Sequence, residues 1–191
     1  MINKLYDILM CDDVVISIKN NLDIILNEIP ELKSLIGFQH KHPHHHLDVW
    51  EHTLLAICIC PKDFDIRLVL LLHDIGNPYS YQDKEVRHFY GHAKVSADIS
   101  FNIFQRLKIS NEKISKLCYL IEEHDTPITN YDIDIDKELT ILKFKIQCCD
   151  ALAHNPLKLE KRISYLLNIN EIINDKEESI KCKKLISKFR R

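Results

Sequence analysis

Glycine is scarce in this chain: three in 191 residues, with only six scattered prolines. So little punctuation argues for helices and against a barrel or a Rossmann core. Long apolar runs are missing too. None approaches the ~20 residues of a membrane span, and the N-terminus lacks the basic-then-apolar plan of a signal peptide. Charge is nearly balanced, 26 Lys and Arg against 28 Asp and Glu, so there is no global footprint for a polyanion and no expectation of DNA. A basic last stretch, KCKKLISKFRR, leaves RNA as a weakly supported partner. It reads more simply as a solvated last helix with favourable charges at its C-terminus. No pair of CxxC motifs exists, which argues against a cysteine zinc site. The cysteine count is odd, at seven. Cys58, Cys60, Cys118, Cys148 and Cys149 lie in apolar-rich stretches, read as reduced core thiols, and fit a cytoplasmic protein. No serine has the strand-turn-helix setting of a hydrolase elbow.

What the chain has instead is histidine, eleven in all. Length and a 46% hydrophobic share suit one domain with a sizeable core. Periodicity predicts helices throughout. They are a short one over 1–11, a run from Val14 to Ile29, and one from Asp48 to Pro61. Another starts at Asp63, and a long one runs through Val95, Ile99, Ile103 and Leu107. The rest are 110–124, 137–154, 157–174 and the tail. Residues 79–86 read as a polar loop over a cleft, and Thr129–Asp136 as an acidic connection.

The stretch Leu68–Pro78, LVLLLHDIGNP, organises the rest. An aliphatic helix ends in His73 and Asp74 side by side, and Gly76 and Pro78 stop it. The pair reads either as a hydrogen bond closing a helix or as half of a metal site. Burying an imidazole beside a carboxylate is costly unless each is paired or bound to a metal. The device recurs at His124-Asp125, cut off by Pro127. His52 lies one turn into its helix behind a capping arrangement of Asp48 and Glu51. Asp150 sits alone in apolar surroundings and wants a cationic partner. His88 and His92 share a helix face if both are helical. Five further histidines crowd FQHKHPHHHL: His40, His42, His44, His45 and His46. They are expected to tune a cleft rather than hold metal, with one or two pointing inward.

In order, HHHLDVWEHTL, LLHDIGNP, HFYGHAKVSA and LIEEHD resemble the HD phosphohydrolase superfamily. They are similar in particular to the HD domain attached to bacterial CCA-adding tRNA nucleotidyltransferases. No start of the nucleotidyltransferase head is present, so tRNA end-building is not carried over. The resemblance implies an all-α HD-domain helical bundle: one domain over 1–191, with its core at 38–155 and helical extensions. It implies that His52, His73, Asp74 and Asp150 hold a metal, and that Asp74 bridges to a second held by His92 and His124. The ions would be one or two divalent transition metals, Mn, Ni, Co, Fe or Zn. The activity implied is a metal-dependent phosphomonoesterase or phosphodiesterase acting on nucleotides or related small phosphate esters. Catalysis would centre on His73 and Asp74. The alternative is a metal- and nucleotide-binding regulatory module without turnover. One departure stands out: the family phrase HDIGKP here has Asn77 for lysine. Lys84, Arg87 and His88 are the candidates to supply the missing cation. Tyr79, Tyr81, Phe89 and Tyr90 are candidates to stack on a base. The sequence leaves the oligomeric state open.

Overall fold

The computed structural model describes residues 2–189. Its helices are α1 (Ile2–Leu9), α2 (Val14–Asn20), α3 (Leu22–Glu28), a 3-10 turn over Pro30–Leu35, α4 (Val49–Ile59), α5 (Phe64–Leu72) and α6 (Asn77–Ser80). A two-stranded antiparallel hairpin follows, β1 (Tyr81–Asp83) with β2 (Arg87–Phe89). Then come α7 (His92–Arg106), α8 (Asn111–Glu122), α9 (Asn130–Ile135), α10 (Lys137–Leu152), a 3-10 turn over Pro156–Lys158, α11 (Glu160–Ile173) and α12 (Lys176–Ser187). The architecture is an all-α bundle. Among the described residues no helix is long and apolar enough to cross a membrane.

Local chemistry sets these boundaries. Asp48 Oδ1 accepts from the Glu51 amide at 2.7 Å, and Asp63 Oδ1 from the Ile66 amide at 3.0 Å, so α4 and α5 both start on an aspartate cap. Leu68 to Leu72 are all buried, and α5 runs through the centre of the main core. Beside it, α10 is covered on two sides. Ile146 and Cys149 face the main core, while Phe144, Cys148 and Leu152 face a second core formed with α11 and α12. The central helices therefore hold rigid the ends that carry the histidines and aspartates.

Three segments depart from the expectation. The run from Val14 to Ile29 is broken at Asn21. Its side-chain amide bonds Ser17 O at 2.9 Å, and its backbone amide is shared between Ser17 O and Ile18 O, so the helical ladder restarts. Residues 79–86 are mostly hairpin rather than loop. The acidic connection folds into α9, because Thr129 and Asp132 form a reciprocal capping box. One of the expected core thiols is not in the core: Cys58 is exposed, while Cys118 is half-buried against the main core and Cys60, Cys148 and Cys149 are buried.

Candidate metal centre

Six side chains from five helices meet at one end of the bundle. His52 comes from the first turns of α4, and His73 and Asp74 from the end of α5. His92 opens α7, His124 follows α8, and Asp150 lies in the last turn of α10. Gly76 makes the meeting of α5 and α7 possible. Its amide donates to Ser96 Oγ at 2.9 Å. A β-carbon there would stand 2.5 Å from His92 O and 2.7 Å from Ser96 N.

The imidazoles are oriented by backbone carbonyls. His73 Nδ1–H donates to Leu70 O at 2.6 Å, His92 to Phe89 O at 3.0 Å and His124 to Ile121 O at 2.7 Å, each a carbonyl three residues back. His52 Nδ1 faces Ala153 O at 3.3 Å. Every one of these rings turns Nε2 inward, as metal-binding histidines do when their other nitrogen is engaged. Asp74 stands between two groups. Its Oδ2 lies 3.5 Å from His73 Nε2 and 3.9 Å from the Nε2 atoms of His52 and His40. Its Oδ1 lies 3.5 Å from His92 Nε2 and 3.9 Å from His124 Nε2. Asp150 Oδ1 accepts from His52 Nε2 at 2.8 Å and lies 3.6 Å from His73 Nε2.

Electrostatics follows from this crowding. Burial opposes charge on His73, but Asp74 and Asp150 outweigh it and raise its pKa to about 9. Burial likewise opposes charge on Asp74 and Asp150, yet the facing histidines hold both carboxyls well below their usual range. His124 is lowered by burial and by the positive neighbours His73 and His92. Burial lowers His154 to about 4 against the pull of Asp150. The donor set fits a metal. His73 Nε2 and His40 Nε2 are buried without a hydrogen-bond partner among the described residues. His52-His73-Asp74, His52-Asp150-His154 and Asp74-His92-His124 each bring three ligand atoms within 4.8 Å of one another. Nitrogen and carboxylate donors suit one or two divalent ions.

The cavity walled by Asp74, His92, His124, Asp150 and His154 is about 170 Å³, with His52 and His73 buried behind it. Of the sequence candidates, His52, His73, Asp74, His92, His124 and Asp150 come together. Lys84, Arg87 and His88 do not line the cavity. Arg87 is spent on Asp83 (2.6 and 2.9 Å) and on Gln39 O (2.9 Å), and lies over the Phe38 and Tyr81 rings. Lys84 is exposed and sits over Tyr90. His88 lies in β2, not on a helix face with His92, and stacks on Tyr90. Of the aromatic candidates Phe89 alone lines the cavity, while Tyr79, Tyr81 and Tyr90 are exposed. Within the histidine run His40 and His45 turn inward, ring on ring at 3.7 Å. Sequence reasoning missed His154, one turn beyond Asp150, and Arg162 of α11, and gave Asp125 no role. All three line the cavity. Only the i, i+4 spacing from Asp150 signalled His154.

The sequence is similar to that of known proteins. The chain is 36% identical over 104 residues to the CC-adding tRNA nucleotidyltransferase of Thermus thermophilus, which covers 50% of this chain and 24% of that protein. It is 33% identical over 113 residues to the A-adding tRNA nucleotidyltransferase of Deinococcus radiodurans, covering 54% and 25%. The multifunctional CCA protein of Psychromonas ingrahamii is 28% identical over 138 residues, covering 64% and 34%. The chain thus spans a quarter to a third of the length of these relatives. The HD domain family model matches residues 44–167, well over half of the chain and the stretch from His45 to Arg162, so the protein belongs to the HD domain family.

Proposed function

We propose that the protein is a metal-dependent phosphohydrolase acting on nucleotides or related small phosphate esters, in the cytoplasm, where its buried thiols stay reduced. The observation that supports this most is the division of the Asp74 carboxylate between two histidine groups. In this reading His52, His73, Asp74 and Asp150 would hold one ion, and Asp74, His92 and His124 would hold a second. A divalent ion supplies Lewis-acid chemistry when bound, acidifying water and polarising phosphoryl oxygens.

The chain's own residues do the remaining work. Leu70 O, Phe89 O and Ile121 O fix the rings so that no reorganisation is needed when a ligand arrives. Burial keeps His154 neutral at physiological pH, so it adds no like charge to the centre. Phe89 supplies an apolar wall. Small nucleotides are favoured over RNA because the net charge is -2 and the cavity is confined.

One observation favours a second reading, a metal- and nucleotide-binding module without turnover. Asn77 stands where the family phrase has lysine, buried in the cavity wall, with a side-chain oxygen unbonded among the described residues. A screen separates the two. Mn, Ni, Co, Fe, Zn and Mg are crossed with nucleoside monophosphates, cyclic nucleotides and an aryl phosphate, with Asp74→Ala as control. Turnover with a transition metal, abolished in the control, is expected. Tight nucleotide binding without turnover would favour the regulatory module.

A further inference from the structure

Resting on the phosphohydrolase reading, we propose that Arg162 grips the phosphoryl group of the substrate and supplies the cation that Asn77 does not. Arg162 lies on α11 and lines two adjoining cavities. One is the metal cavity, and the other, of about 300 Å³, is bounded by Pro127, Gln147, Lys161 and Tyr165. The residue is half-buried, yet among the described residues its guanidinium has neither a hydrogen bond nor an ion pair. Among the described residues the two buried arginines are committed. Arg67 donates to Leu9 O at 2.5 Å and Cys11 O at 3.1 Å, and Arg87 is held by Asp83 and Gln39 O. A partly desolvated guanidinium with open donors is costly unless an anion completes it. Its planar fork matches two phosphoryl oxygens at once. The charge that acts on it from within the chain is that of Asp150, the carboxylate committed to the metal in this reading. With that charge engaged, Arg162 faces the cavity free to take an incoming anion.

The surroundings of Arg162 are built to hold it in place. Asn155, just before α11, donates its side-chain amide to Pro43 O at 3.0 Å and its backbone amide to His44 O at 2.8 Å. These bonds tie the start of α11 to the histidine loop. One turn after Arg162, Tyr165 is fixed too. Its hydroxyl donates to Gln147 Oε1 at 3.0 Å and accepts from the Ile128 amide at 3.0 Å, while Gln147 Nε2 donates to Thr126 O at 2.7 Å. The second cavity therefore has a preformed wall carrying an aromatic ring and Pro127. A phosphate at Arg162 faces Asp74 on one side and leaves the ester's organic group to the second cavity on the other. This geometry selects phosphate esters with a sizeable, partly apolar organic group.

The test is titration of inorganic phosphate into Mn-loaded protein, followed by calorimetry. Arg162→Gln is expected to keep its metal stoichiometry and to weaken phosphate binding roughly tenfold to a hundredfold. Arg162→Lys should recover part of the loss, since it restores charge but not the fork. Lys158→Gln, exposed and outside both cavities, should bind like wild type. In protein loaded with diamagnetic Zn the Arg162 Nε–H resonance should shift on phosphate addition, a readout independent of turnover. Wild-type affinity in Arg162→Gln would overturn the role of Arg162 while leaving the phosphohydrolase reading intact. Absence of phosphate binding by the metal-loaded wild type would overturn both. Phenylphosphonate, which resists hydrolysis, should bind more tightly than phosphate. Equal affinity would overturn the seating of the organic group in the second cavity.

Discussion

His92 and His124 bring their Nε2 atoms to 3.3 Å of each other. Both Nδ1 atoms already donate to carbonyls, so in the neutral rings both inward nitrogens carry lone pairs. Two lone pairs at that distance repel unless a cation or a proton joins them, and Asp74 Oδ1 stands beside them. A metal ion shared by the three removes the conflict. Replacing His124 with alanine should therefore lower the stoichiometry from two ions to one. Asp74→Ala, which touches both groups, should weaken metal binding more than the roughly tenfold to hundredfold of an outer-shell change. Elemental analysis after equilibrium dialysis checks both, and full occupancy in Asp74→Ala would rule out the bridging role.

Gly76 gives a test of how α7 places His92. An alanine side chain there meets backbone atoms of His92 and Ser96, which cannot rotate away, so α7 itself must move. Overpacking of this kind costs about 1–3 kcal/mol. Gly76→Ala should melt several degrees lower and lose the ion at His92-His124 while keeping the one at His52-His73-Asp150. Equal loss of both ions would mean that the two groups are not independently placed.

The parts of this site legible in sequence are those with a local signature. An aliphatic run that ends in His-Asp and then meets Gly or Pro marks His73-Asp74, and a helix ending in His-Asp before Pro127 marks His124. Asp150 betrayed itself as a carboxylate among apolar neighbours. Arg162 had no such signal. Between Lys161 and Ile163 on an amphipathic helix, its charge looks like any solvated face, and only the packing of α11 against α10 turns it toward the cavity. The hairpin was illegible for a related reason. Its two three-residue strands show no apolar alternation, and Arg87, which pins it, reads in sequence as one more surface cation.

The pH dependence of the metal-free protein follows from opposed histidines. His73 has its pKa raised from 6.5 to about 9. Its contribution to stability is full below 6.5 and is lost as pH rises toward 9. His154, lowered from 6.5 to about 4, and His124, also lowered, act the other way, losing stability as pH falls below 6.5. Asp74 and Asp150, held low, fail only below the ordinary carboxylate range. The melting temperature in chelator should therefore peak near pH 6.5. Because metal must displace the His73 proton, apparent affinity should rise by about tenfold per pH unit above that point. Calorimetry in buffers of different ionisation enthalpy reads the released proton. A chelated protein whose Tm climbs steadily to pH 9 would contradict the assignment.

Arg87 should behave as a strut. Its bonds to Asp83 and Gln39 O, with the Arg87 amide donating to Lys41 O at 3.1 Å, tie the hairpin to the histidine loop. Arg87→Ala is expected to lower Tm by roughly 3–6 °C with metal content unchanged. Lys84→Ala should alter neither. Loss of phosphate affinity in Arg87→Ala at unchanged Tm would return Arg87 to the list of substrate-binding residues.

The histidine run divides, and the division can be measured. His40 is 2% exposed. Its Nδ1–H donates to Leu47 O at 3.0 Å, which leaves Nε2 unbonded among the described residues, 3.9 Å from Asp74 Oδ2. His45 stacks on it, and burial first, then the neighbouring histidines, pushes its pKa down, so a neutral ring backs His40. His44 and His46 are exposed and His42 half-buried, stacked on His44 away from the cavity. A buried imidazole beside the bridging carboxylate orients it, whereas an exposed one does not. His40→Asn is therefore expected to weaken metal binding by about tenfold with the fold intact. The triple change of His42, His44 and His46 to Asn should leave metal affinity at the wild-type value. Competition with a coloured chelator reads both variants on one scale. Equal losses in the two would mean that the loop acts through its conformation rather than through His40. Complete loss of one ion in His40→Asn would make His40 a ligand in its own right.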